Sequence, residues 1–243
     1  MYKVVNGKMS NVAQRIRNEL KENVDEKTRN SFQRFFKEKV KCYGVKTGTV
    51  GRIAKEYWNE IKGKNKKEIF ELCEELLRSD YTEEASIVSF WGMSFRDFIE
   101  SGDLAVFEKW IKKYVNNWAK CDGFCNHAVG DLIAKYPDSV EELKKWAKSD
   151  NRWLKRASAV TLIIPAKKGE FLKEAFEISD MLLVHADDMV QKGYGWLLKE
   201  ESRKHQKEVF EYVMENRHEM PRTALRYAIE LMPEKLRKKA MEK

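Results

Sequence analysis

The sequence predicts an all-α fold of the solenoid kind, and three observations carry that expectation. Apolar residues recur at spacings of three and four almost throughout, the mark of helices with one buried face. The chain has 12 Gly and 4 Pro in 243 residues, too few turn formers for a sandwich or barrel of many short strands. The third is a repeat. Lys109-Trp110-Ile-Lys returns as Lys145-Trp146-Ala-Lys about 36 residues later, Trp118 and Trp153 follow each by a similar interval, and Val190 arrives about 37 residues later still.

The elements follow in order. Val12, Ile16 and Leu20 define a first helical face; Phe32, Phe35, Phe36 and Val40 a second; Ile69, Leu72, Cys73, Leu76 and Leu77 a third. Breaks fall at Asn23–Lys27, Gly44–Gly48, Gly63–Lys67, Ser79–Thr82, Ser101–Asp103, Tyr136–Ser139, Ser149–Asn151, Pro165–Gly169 and Met220–Pro221, so about a dozen short helices are expected between them. Thr82 ahead of Glu84, and Asp138-Ser139 ahead of Glu141 and Glu142, read as helix starts, and Pro221 as a first-turn proline. A period in the high thirties with two helices per unit and no strand signal fits HEAT or armadillo-like two-helix repeats. The expectation is therefore one curved domain over 1–243, about six units with an atypical N-terminal helical cap at 1–28 and a basic concave face.

Composition bounds the partner. Lys plus Arg is 47 against 39 Asp plus Glu, a formal charge of +8, which favours a polyanion. With 42% hydrophobic and 12% aromatic residues, seven Trp among them, the chain has ample core and is not disordered. The N-terminal residues are mixed polar, and the longest apolar run, Ala157 to Ala166, is far short of the roughly 20 residues of a membrane span. A cytoplasmic protein without membrane contact is the expectation, with Cys42, Cys73, Cys121 and Cys125 reduced.

The informative stretches are Asn117-Trp118-Ala-Lys-Cys121-Asp122-Gly-Phe-Cys125-Asn-His127, Asp150-Asn-Arg-Trp153-Leu-Lys-Arg156-Ala, and Val190-Gln-Lys-Gly-Tyr-Gly-Trp196-Leu-Leu-Lys-Glu200. Together they resemble the AlkD-type DNA alkylation repair glycosylases, a HEAT-like family. Its pattern has a Trp four residues ahead of an Asp, then Trp-Leu-x-Arg-Ala, then Gln-Lys-x-x-Gly-Trp-Leu-Leu-x-Glu. The likeness runs from about Phe32 to the C-terminus. It implies that Asp122, Trp118 and Trp196 form a catalytic cleft, that Arg156 assists on the DNA backbone, and that the substrate is a cationic N3- or N7-alkylated purine in duplex DNA. Lys46, Lys155, Lys192, Arg222 and Arg226 suit phosphate contact, and Phe35 stands where the family has an early-helix aromatic. Gly48 and Gly51 replace the Pro and Arg that the family often carries after the turn at Tyr43.

Chemistry supports so small a site. Glycosidic cleavage passes through an oxocarbenium-like sugar and usually takes two carboxyl groups. A purine that already carries positive charge leaves without a general acid, so one carboxylate that stabilises the sugar cation and holds a water suffices. Two Trp faces add cation–π attraction, about 0.5–2 kcal/mol each. Read without the resemblance, Trp118 and Trp196 fit solenoid core, as Trp110, Trp146 and Trp153 do, Asp122 fits a helix cap ahead of Gly123, and Arg156 a surface salt bridge. A non-catalytic DNA-structure-binding paralogue and a protein-binding helical scaffold remain as alternatives. Cys121, Cys125 and His127 lack the close cysteine pairs and fourth ligand of a zinc site. No cofactor and no metal are expected, and the protein is expected to act as a monomer.

Overall fold

The computed structural model describes residues 6–242, the side chains of 6–10 excepted. Its helices are α1 (Asn6–Glu22), α2 (Glu26–Phe32), α3 (Thr47–Ile61), α4 (Lys66–Arg78), α5 (Thr82–Gly92), α6 (Asp103–Tyr114), α7 (Trp118–Phe124), α8 (Gly130–Lys135), α9 (Val140–Ala147), α10 (Arg152–Val160), α11 (Ile163–Ala166), α12 (Leu172–Leu182), α13 (Asp188–Glu201), α14 (Gln206–Asn216), α15 (Arg222–Ala228) and α16 (Glu234–Met241). Short 3-10 turns and one π-helical turn, Cys125–Val129, complete them. Among the described residues there is no strand, only a single bridge between Lys41 and Tyr81. The first five residues of the expected N-terminal cap lie outside the described residues.

The chain packs as two compact units, Met1–Glu100 with Lys113–Phe124, and Ser101–Lys112 with Cys125–Lys243. In the first, α1 buries Val12, Ala13, Ile16 and Leu20. Asn65 and Glu68 close a capping box on α4, whose Ile69, Leu72, Cys73, Leu76 and Leu77 turn inward. This is the expected periodicity at work: apolar residues three and four apart share one face, and the box satisfies two N–H groups of the first turn. Trp58, Phe70, Trp91, Phe95 and Phe98 form an aromatic cluster, and Trp91 donates its indole N–H to the Ala54 carbonyl at 2.7 Å. The loop into α3 is pinned from α5. Glu83, only 3% exposed, accepts the backbone N–H groups of Tyr43, Gly44 and Val45 at 2.7 to 3.1 Å. Gly44 has φ +93°, and a Cβ there would lie 2.4 Å from that of Arg29, so only glycine passes this turn.

The second unit is built on α13, which packs against α10, α12 and α15. Trp110, Trp146 and Trp153 are buried, as expected of core. Tyr194 is fully buried and donates its hydroxyl to the Leu183 carbonyl at 2.8 Å.

Helix starts keep time along the chain. α3, α5, α7, α10, α13 and α15 begin at 47, 82, 118, 152, 188 and 222, at intervals of 34 to 36 residues. The residue ahead caps three of them: Asn117, Asn151 and Asp187 accept N–H groups of the first turn.

Three sequence expectations are corrected. The faces read at Phe32, Phe35, Phe36 and Val40 are not one helix: α2 ends at Phe32, a 3-10 turn covers Gln33–Phe35, and Phe36 is extended. None of the residues of α2 or this turn is buried, so no core holds them helical. Thr82 does not cap α5; it lies inside the helix and donates its hydroxyl to the Lys41 carbonyl. Pro221 precedes α15 rather than opening it.

Candidate functional site

Asp122 and Trp118 both lie on α7, four residues apart and therefore on one face. Asp122 is interior to the helix and 9% exposed, so it is not the cap that its neighbour Gly123 suggests. The cap is Asn117, fully buried, whose Oδ1 accepts the Lys120 N–H at 3.0 Å. Gly123 lets α7 approach α5: a Cβ there would stand 3.2 Å from Ser89 Oγ.

A polar clasp fixes the start of α7. Lys120, 5% exposed, reaches Asp80 Oδ1 at 2.6 Å and the Asp80 carbonyl at 3.0 Å. Asn116 donates to the same Oδ1 at 2.7 Å, and Asp80 holds a left-handed φ of +66°. Burial lowers the Lys120 pKa, with Asp80 opposing; burial also raises Asp80, but Lys120 and Asn116 pull it below its ordinary value.

The Trp118 indole is oriented from another segment. Its Nε1–H donates to the Phe35 carbonyl at 3.1 Å, and the Phe36 ring stacks on it at 5.4 Å and 22°. Phe35 itself is 69% exposed. Lys46, also expected on phosphate, is exposed and paired with Asp25 at 3.0 Å. That bond, with the Thr28 N–H, holds Asp25 at a pKa of about 2.

In the second unit Trp196 is half-buried on α13. Its Nε1–H donates to Glu200 Oε1 at 3.0 Å, and Arg203 holds the other oxygen at 2.5 Å. Burial raises the Glu200 pKa, but these two bonds outweigh it and the carboxylate sits below its ordinary value. Gln191 donates to the His185 carbonyl at 2.8 Å and closes the loop ahead of α13. His185 is half-buried there, its pKa lowered by burial and by Lys155.

The cationic candidates differ in accessibility. Arg156 is 5% exposed and donates Nη1–H to the Met189 carbonyl, which ties α10 to α13. Lys155 is half-buried. Lys192 pairs with Asp188 at 3.2 Å. Arg222 and Arg226 are exposed, one turn apart on α15, with no ion-pair partner among the described residues. Cys121 and Cys125 are buried and in no disulfide, and burial lowers the pKa of the half-buried His127. No group of three possible metal ligands occurs among the described residues.

Sequence reasoning missed Glu200, Lys120, Asp80 and Phe36 as supports. Glu200 had a signal, since a carboxylate four residues after Trp196 lies on the same helical face. The Phe35–Trp118 bond spans 83 residues, and no local pattern announces it.

The described residues define an all-helical protein, and comparison with known proteins gives its class. A family model described as DNA alkylation repair enzyme matches residues 16–232, and the chain belongs to that family. A solved structure described as a predicted DNA alkylation repair enzyme from Enterococcus faecalis matches with a TM-score of 0.78 at 13% identity, over 87% of this chain and 98% of that one. That likeness concerns the fold. No curated protein matches the chain in sequence. No described helix is long and apolar enough to cross a membrane.

Proposed function

We propose that the protein is a monomeric, metal-free DNA glycosylase that hydrolyses the N-glycosidic bond of cationic N3- or N7-alkylated purines in duplex DNA, on a HEAT-like array of repeats. One observation carries the reading: a single, nearly buried carboxylate, Asp122, sits one turn after a half-buried tryptophan on a helix whose start is clasped in place. Membership of the DNA alkylation repair family supports alkylated DNA as the substrate.

The mechanism follows from charge. The alkylated purine is an electron sink, so its C1′–N bond breaks without a proton donor. Asp122 stabilises the oxocarbenium sugar and orients the water that attacks it, a fixed charge in a site of low dielectric. The indoles of Trp118 and Trp196 attract the cationic nucleotide. A neutral purine needs an acid that this set lacks, and is the poorer substrate. Arg156, Lys155, Lys192, Arg222, Arg226 and Lys46 hold the phosphates, and Phe35 packs on the duplex.

The deciding experiment incubates the purified protein with methylated duplex DNA and measures released 7-methylguanine and 3-methyladenine. Release of both above the spontaneous rate is expected. Tight binding of the duplex without release would leave a DNA-binding protein that has no catalytic step.

A further inference from the structure

The two tryptophans are held by different means. Trp196 is tied within its own helix by Glu200. Trp118 is tied by a distant segment that has no core of its own, since neither α2 nor the turn Gln33–Phe35 buries a residue. Polar bonds shape that segment instead. The Gln33 amide donates to the Glu38 carbonyl at 2.8 Å and accepts the Val40 N–H at 3.1 Å. The Phe36 N–H returns to the Gln33 carbonyl at 3.1 Å, and Phe32 leans on the Phe36 ring at 5.2 Å. What this clasp delivers is a carbonyl at the Trp118 N–H and a ring over one Trp118 face. Among the described residues Phe36 is the one aromatic ring stacked on Trp118.

We infer that Phe36 is a positioning residue for Trp118: with the Phe35 carbonyl it fixes the plane of the indole and closes one face, so that the nucleotide cation is received on the other face alone. The inference rests on the glycosylase reading above. Its physical content is twofold. A tryptophan half-exposed at the start of a helix otherwise samples several rotamers, and an indole aimed wrongly for most of the time forfeits most of its attraction for the transition state. A ring stacked behind the indole also keeps water from that face, and cation–π attraction grows with desolvation.

Two readouts test this. In the first, the indole N–H resonances of the 15N-labelled protein, seven in all for the seven Trp, are compared with and without Phe36→Leu. The Trp118 signal is identified by its loss in Trp118→Phe. Phe36→Leu keeps apolar volume but removes the ring current, so the Trp118 signal moves while the other six stay; Phe36→Tyr leaves it in place. In the second, single-turnover excision of 7-methylguanine falls about 10-fold in Phe36→Leu, the loss of roughly one cation–π contact. Affinity for undamaged duplex stays within about twofold, and Phe36→Tyr restores the rate. Because Phe36 acts through Trp118, Phe36→Leu in a Trp118→Ala background costs nothing more. An unmoved Trp118 signal, or a further loss of about 10-fold in the double variant, overturns the inference. A wild-type protein that releases no base refutes the glycosylase reading instead, and the indole spectrum then decides the positioning claim by itself.

Discussion

Asp122 carries the heaviest demand of any residue, because the proposed reaction has one carboxylate where glycosidic cleavage commonly has two. Asp122→Asn keeps shape and loses the charge. Single-turnover excision should therefore fall at least about 100-fold, the scale of removing a fixed electrostatic partner of the transition state, while duplex affinity changes little. Excision near the wild-type rate would remove Asp122 from the mechanism. Glu201 makes the opposite case, a carboxyl with no work visible in the site. It is fully buried, neither oxygen has a hydrogen-bond partner among the described residues, and burial, with Glu174 nearby, pushes its pKa from 4.5 up to about 8. The folded state thus holds a proton that the unfolded chain releases above its ordinary value. The stability contributed is complete below the unfolded pKa and is lost as pH rises through the folded one. Melting temperature should drop between pH 5 and pH 8, and Glu201→Gln, neutral throughout, should flatten that slope; an equal slope in both proteins would assign it to other groups. Sequence alone separates these residues unevenly. Asp122, Trp118 and Trp196 stand out as candidates because they sit in linked motifs, whereas Glu200 and Glu201 are neighbours of one type. The register of α13 sends the first to Trp196 and Arg203 and the second into the interior.

Helices show the same division between what periodicity carries and what only contact decides. The buried faces of α1 and α4 are where spacing places them. Phe32, Phe35 and Phe36 obey that spacing too, yet they form a turn and an extended residue, because an apolar stripe makes a helix only where a second surface covers it. The Gly-Tyr-Gly run of α13 is another such case. Gly193 has room: a Cβ there would meet Arg156 Cγ at 3.4 Å, an ordinary contact. Gly195 has none, since a Cβ would lie 2.7 Å from the Ala224 carbonyl and 2.8 Å from Tyr227 Cβ, against α15. Gly193→Ala should accordingly be neutral or add up to about 1 kcal/mol through helix propensity. Gly195→Ala should cost about 1–3 kcal/mol by forcing α15 away. Denaturant midpoints of the two variants decide it, and equal midpoints would mean that α13 and α15 separate without penalty.

At the scale of the whole chain, the repeat and the charge meet in one register. Asp122, Arg156, Lys192 and Arg226 are each the fifth residue of α7, α10, α13 and α15. The Trp-centred period agrees with the spacing of these helix starts, but it does not tell which of these cations is available, because that depends on what each helix packs against. A chain of +8 should bind undamaged duplex with log affinity falling linearly in log salt, at about 0.9 unit per phosphate neutralised. The three cations should not contribute alike. Arg226 is exposed and without an ion-pair partner among the described residues, so Arg226→Ala should make the slope shallower by about one and weaken all sequences equally. Lys192 must first leave Asp188, and Lys192→Ala should change the slope less. Arg156 is buried on the Met189 carbonyl, so its loss should lower the melting temperature before it lowers affinity, by freeing a carbonyl between α10 and α13. Removing Arg226 should also slow excision of cationic and neutral lesions by similar factors, since the contact is common to both. A slope that does not move in a folded Arg222→Ala, Arg226→Ala variant would place the duplex elsewhere on the protein.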